Sequence, residues 1–369
     1  MEENKYTQDR QTDRQTDRQT DRQTDRRGNI EYITLLSVIS AFAVVSLHTN
    51  GVFWRFSTER YWMTANIIES VYYFAVPIFF MISGITLLDY PKRYGTKVYF
   101  YKRLKKTLIP FLLWSLVGLL FRIGFVKDIH IGDLSATYIF NGIVETKFVA
   151  IYWFFIPLFM IYLTIPVLAH IEQKYKLNIL LYAVVVAFLL NACLPLVHNV
   201  CLPTVSFPFS FDIAKGNLIY PLIGYVIANS NISRRLRYAI YGATILALMV
   251  HILGTYILSM EAGKIIQTYK GYTNLPCVIY SIGIFLFFKE NCERIMSFGW
   301  VRNLVHGLKS YTFSIYMLHW FVMTFFVTEF HINTMSIIYR LLGPIPIILV
   351  CIIITYLIRK IPVGKHILP

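Results

Sequence analysis

Charge is scarce in this chain. Of its 369 residues only 15% are charged, and 20 acidic residues stand against 35 basic ones. Globular domains carry about a quarter charged residues, so this chain cannot clothe an ordinary water-exposed surface. Cysteine is scarce too. Cys193, Cys201, Cys277, Cys292 and Cys351 show no metal-ligand spacing, which excludes a zinc ribbon. They read as free apolar thiols, with a Cys193–Cys201 disulfide as the alternative because the two bracket the start of a loop placed outside. There is no phosphate-cradling glycine loop, no His-Glu-x-x-His pattern and no Gly-x-Ser-x-Gly elbow. No cleavable signal peptide is visible, since about the first thirty residues are polar.

What the chain has is apolar length. It is 56% hydrophobic and 16% aromatic. A bilayer core is crossed by about 20 apolar residues in a helix. Such stretches lie near 32–49, 67–89, 107–124, 151–169, 178–197, 213–229, 238–259, 273–289, 310–329 and 336–358. The sixth is the least regular, with Lys215 near its start and Pro221 inside. The pattern predicts an all-α integral membrane protein, a bundle of about ten transmembrane helices with both termini cytosolic.

The net charge of +15 invites a nucleic-acid reading, but position argues against it. With ten spans and a cytosolic N-terminus, the inner loops hold Lys102, Arg103, Lys105, Lys106, Lys174, Lys176, Arg234, Arg235, Arg237, Arg302 and Lys309 among others. The outer side keeps only Arg55, Arg60, Arg122, Lys127, Lys147, Lys215, Lys264, Lys270 and Arg340. That asymmetry sets orientation and meets anionic headgroups of the lipid bilayer.

Two regions follow: a polar cytosolic tail, 1–28, and a membrane domain, 29–369. Gln11 to Arg26 reads Gln-Thr-Asp-Arg four times over. The tail has no apolar face to bury and reads as disordered. The codons CAG-ACA-GAC-AGA encode that tetrapeptide and are a pure run of a four-base unit. Slippage by one unit shifts the frame, so the repeat suggests an on/off phase-variable gene.

Ionisable groups in or near membrane spans are the candidates for chemistry. His48 ends the first span toward the outer side. Imidazole, with a pKa near ~6.5, can take and return a proton at neutral pH. Glu69, near the start of the second span, falls at a similar depth and could orient that imidazole or sit exposed at the interface. Arg122 ends the third span outside, as an oxyanion partner or a snorkelling cation. His319 lies near the middle of the ninth span, as a second chemical group or a structural link through Ser310, Tyr311, Ser314 or Tyr316. On the inner side Arg103, Lys105 and Lys106 precede the third span, where they either bind phosphates or anchor the helix. Ser83-Gly84 offers a small surface for close helix approach.

The helix ending in His48 is followed by Val76-Pro-Ile-Phe-Phe-Met-Ile-Ser-Gly84, then Lys102-Arg-Leu-Lys-Lys-Thr-Leu-Ile-Pro-Phe111, then Ser310-Tyr-Thr-Phe-Ser-Ile-Tyr-Met-Leu-His319. Trp153-Phe-Phe-Ile-Pro-Leu158, with Tyr162 and Pro166, stands between the last two. In this order the segments resemble the acyltransferase-3 family of integral-membrane acyltransferases, over roughly residues 29–359. The resemblance implies a ten-helix enzyme of the bacterial inner membrane. It would move an acyl group, usually acetyl, from cytosolic acyl-CoA to a hydroxyl of a surface glycan such as lipopolysaccharide or capsule, or of a lipid-linked sugar. It implies no bound cofactor. It supports His48 as the catalytic histidine and Arg103 on the donor side; the mechanism read from the residues adds Glu69 or His319 as support for His48. Two positions depart from the pattern: Ser37 stands where the family usually has Arg, and Ile151 where the middle segment often opens with His. The rivals are a multi-span exporter of an oligosaccharide or lipid-linked sugar, and a non-catalytic protein of the same fold. No convincing repeat between the halves supports the exporter.

Overall fold

The computed structural model describes residues 31–201, 210–362 and 364–368. The tail 1–28 with its repeats lies outside the described residues. Among the described residues there are helices and no strands. The first half comprises α1 (Glu31–Thr49), α2 (Arg60–Tyr72), α3 (Ala75–Leu87), α4 (Thr96–Arg103), α5 (Ile109–Phe121), α6 (Ala136–Val144), α7 (Phe155–Ala169) and α8 (Gln173–Ala187). The second comprises α9 (Leu194–Cys201), α10 (Ile219–Asn229), α11 (Arg234–Ala262), α12 (Leu275–Met296), α13 (Gly299–Leu308), α14 (Thr312–Glu329), α15 (Ile337–Leu342), α16 (Pro344–Arg359) and α17 (Gly364–Ile367). All five cysteines are free thiols.

Among the described residues, seven helices are long and apolar enough to cross a membrane, or up to eight if α13 and α14, bent by 74°, form one span. The expected ten differ at identifiable places. The sixth stretch forms only the 11-residue α10, in which every residue from Ile219 to Ile227 is buried. It is apolar all round because protein encloses it. The tenth stretch breaks at Gly343 into the short α15 and the 16-residue α16. Pro77 lacks the N–H that would bond to Tyr73, and there the second span divides into α2 and α3.

The bundle has a centre and a rim. In the most apolar window of α1, and likewise of α2–α3, 61% is buried, against 22% along Gln173–Cys201 and 28% along α11. Rim helices turn Leu120, Leu163, Val167, Tyr182, Ile245 and Leu246 outward. Such apolar surface suits lipid. At the centre α3 and α10 touch backbone to backbone. A Cβ on Gly84 would collide with the Pro221 carbonyl, and one on Gly224 with that of Met81. The small surface expected at Ser83-Gly84 is therefore a helix-packing contact.

Several polar ties fix the ends of the bundle. The buried Lys176 ammonium donates to the carbonyls of Ala169 at 2.8 Å and Leu88 at 3.3 Å, which end α7 and α3. A cation suits those carbonyl ends. Glu31 lies 3.7 Å from Arg302, Arg237 pairs with Glu290 at 2.5 Å, and Arg359 donates to Ser310 O at 2.7 Å. These contacts gather the start of α1, the start of α11, α13 and the end of α16 on one face. Near the far end of α1, the buried Arg340 donates to Tyr61 O and Thr64 Oγ1, while its own carbonyl accepts from Thr49 Oγ1. That knot holds α15, α2 and the last turn of α1 together.

Candidate active site

His48 occupies the last turn of α1. Its Nδ1 lies 2.7 Å from the Val44 carbonyl. A carbonyl only accepts, so Nδ1 carries the proton. His319 on α14 repeats the arrangement, with Nδ1 2.9 Å from Ile315 O. Its Nε2 is then a lone pair, and it stands 3.1 Å from His48 Nδ1. The two rings are 4.9 Å apart. One proton of His48 is thus shared between Val44 O and His319 Nε2. His48 Nε2 is left unprotonated, and it makes no hydrogen bond among the described residues.

His48 lines a cavity of about 420 Å³ together with Glu69, Trp54, Tyr73, Trp153 and Tyr272. We refer to it as the histidine chamber. Glu69 is only 3% exposed, and Asn50 Nδ2 donates to it at 3.2 Å. It shares the chamber with His48 but not its hydrogen bonds, because Nδ1 is already engaged by Val44 and His319. The expected support for His48 is therefore a direct contact for His319 and a shared cavity for Glu69.

Behind Glu69 lies a second buried group. Lys270, in the 263–274 loop between α11 and α12, is fully enclosed and donates to Ser70 Oγ at 2.7 Å. Its ammonium stands 4.4 Å from the centre of the Phe53 ring. Burial pushes the Lys270 amine down to about 7, against the opposing pull of the Glu69 carboxylate.

A second cavity, of about 360 Å³, contains Arg103, Lys106, Thr107, Ser37 and Tyr162. We refer to it as the arginine chamber. Arg103 and Lys106 are three residues apart and meet there, although the helix loosens into a π turn over Leu104–Leu108. The Arg103 guanidinium lies 5.5 Å from the Tyr162 ring. Lys105 does not line the chamber; its ammonium lies 6.0 Å from the Tyr101 ring. The Ser37 hydroxyl donates to Ile33 O at 2.8 Å. Among the described residues the chamber therefore holds two cations, with the neutral Ser37 hydroxyl beside them.

The chambers adjoin. Phe154 and Tyr316 line both of them, edge to face with ring centres 5.4 Å apart. A reciprocal pair of hydrogen bonds holds this wall. Tyr316 OH donates to Ile151 O at 2.5 Å, and Tyr152 OH donates to Met317 O at 2.8 Å. Both tyrosines are buried, and the pair locks the 150–154 turn onto α14 one turn before His319. Arg122 takes no part in either chamber. It forms an ion pair with Asp128 at 2.5 Å and donates to Lys147 O.

Residues 30–358 match the family model described as an acyltransferase domain, of the acyltransferase-3 type. The chain belongs to the acyltransferase-3 family. No curated protein and no solved structure matches it. The match covers both chambers and every span, so the paired histidines and the basic chamber belong to one acyltransferase domain in a multi-pass membrane protein.

Sequence reasoning missed several residues of this acyltransferase's chambers. Tyr316 was visible only as one of several partners for His319, and Trp153 only as part of the middle segment. Tyr272 and Lys270 lie in a loop whose composition resembles any polar connection. Asn50, two residues after His48, carried a local signal: a buried amide beside a membrane carboxylate can donate to it.

Proposed function

We propose that the protein is an O-acyltransferase of the bacterial inner membrane that moves an acetyl group from cytosolic acetyl-CoA to a sugar hydroxyl of a surface glycan, such as lipopolysaccharide or capsule. The face that gathers Glu31, Arg302 and Arg359 is taken as cytosolic, in keeping with the basic bias of its loops. The observation that carries this reading is the pair of adjoining chambers. One offers cations to a phosphorylated donor, the other offers an unprotonated imidazole nitrogen, and Phe154 and Tyr316 line both.

In this mechanism the donor's diphosphate lies against Arg103 and Lys106, and its thioester reaches the wall at Phe154 and Tyr316. The acceptor hydroxyl enters the histidine chamber. His48 Nε2 takes the hydroxyl proton as the oxygen attacks the thioester carbonyl. The tetrahedral intermediate collapses, the C–S bond breaks, and the imidazolium returns the proton to the departing thiolate. The products are the sugar ester and free CoA. His319 Nε2, accepting from His48 Nδ1–H, favours the imidazolium formed on the way. Glu69 adds negative potential to the same chamber.

The test is CoA release from acetyl-CoA by membrane vesicles carrying the wild type or His48→Ala. The wild type should release CoA in the presence of acceptor glycan, and the variant should not. Full release by the variant refutes the assignment of the base. The tail repeat is proposed to switch the gene on and off. That idea fails if the DNA encoding Gln11–Arg26 has scrambled synonymous codons instead of a four-base run.

A further inference from the structure

A third cavity, of about 450 Å³, lies at the start of α14 and the end of α16. Lys309, Arg359 and Lys365 line it, and no acidic residue does among the described residues. Lys309 and Lys365 make no ion pair among the described residues, and both are exposed. Arg359 is held in place by Leu368 O at 3.0 Å and Ser310 O at 2.7 Å. Three cations converge, two of them able to turn toward an incoming anion.

This cavity adjoins the arginine chamber. Thr312 and Phe313 line both. Three cavities are thus strung along α14: the tri-cationic cleft at its first turn, the arginine chamber next, and the histidine chamber beyond Tyr316. From Thr312 to His319 the rise along the helix is about 10 Å, a gap that the pantetheine arm of coenzyme A can bridge. A ligand with phosphates at one end and a thioester at the other matches that order of cation, cation and base.

We propose that the cleft of Lys309, Arg359 and Lys365 binds the 3′-phosphorylated nucleotide end of acyl-CoA. The inference rests on the reading of acyl-CoA as donor and adds where its far phosphate is held. Lysines recognise phosphate as point charges, and the anchored guanidinium adds a fixed donor. An anionic lipid headgroup offers the same phosphate chemistry at this face, so the test must separate the two sources.

Full-length protein is placed in nanodiscs of phosphatidylcholine, and binding of CoA is compared with that of 3′-dephospho-CoA. The wild type should bind CoA about tenfold more tightly. The double variant Lys309→Ala/Lys365→Ala should bind the two alike, and bind 3′-dephospho-CoA as the wild type does. That last result also shows that the variant is folded. Equal losses for both ligands, or no loss for either, overturn the assignment while leaving the donor reading intact. A preference that disappears in phosphatidylglycerol discs marks the cleft as a lipid headgroup site and overturns it too. A wild type that binds neither ligand refutes the donor reading itself.

Discussion

Replacing His319 by Phe removes the acceptor that His48 Nδ1–H shares with Val44 O. Phe fills the enclosed site and leaves the Val44 bond in place. His48 should therefore keep its tautomer and its position in the chamber. What it loses is a hydrogen bond that strengthens when the ring becomes charged. A bond to a charged group contributes about 1.5–3 kcal/mol, and about 1.4 kcal/mol is tenfold in rate. The expected loss in kcat is therefore roughly ten- to a hundredfold, at the low end because Val44 still engages the proton. His319 lines neither chamber, so KM for acetyl-CoA should stay unchanged. His319→Gln, whose amide oxygen can accept, should recover part of the rate. Steady-state CoA release from proteoliposomes gives both parameters. An unchanged kcat in His319→Phe, or a loss confined to KM, refutes the argument that the two histidines act as a unit.

Gly84→Val should abolish folding, because its side chain would meet the backbone of α10 at Pro221; a monodisperse, stable variant in detergent would contradict that packing. Phe154→Leu should widen the junction of the chambers and raise the preference for butyryl-CoA over acetyl-CoA by about tenfold; an unchanged ratio of kcat/KM values removes Phe154 from the acyl path. Lys270 should make stability depend on pH. Burial lowers its amine from 10.5 to about 7, so between those values the unfolded chain holds a proton that the folded chain lacks. Stability therefore rises with pH across that window. Tm should climb from pH 7 to pH 9 in the wild type, and Lys270→Met should flatten the climb.

Much of this site is written in local sequence, and the rest depends on long-range packing. His48, Glu69, Arg103 and Lys106 stood out because ionisable residues in or beside apolar spans have few structural uses. The partnership of His48 with His319 crosses 271 positions, and no periodicity links them. Lys105 was grouped with Arg103 and Lys106 because a run of cations looks alike at every position; helix geometry turns it toward Tyr101 instead. Arg122 found Asp128 only six residues ahead, a pairing that local sequence did offer. The expected number of about ten spans differs from the seven or eight helices of spanning length among the described residues for a physical reason. Hydropathy does not distinguish a helix enclosed by protein, as α10 is, from one enclosed by lipid. The three cavities along α14 were not legible at all, since each is assembled from helices distant in sequence.

The most direct test of the central claim is mass spectrometry of surface glycans from isogenic strains with the gene intact, deleted, or carrying His48→Ala. The account predicts an acetyl mass increment on a glycan in the intact strain alone. The same increment in all three strains, with expression verified, would contradict it.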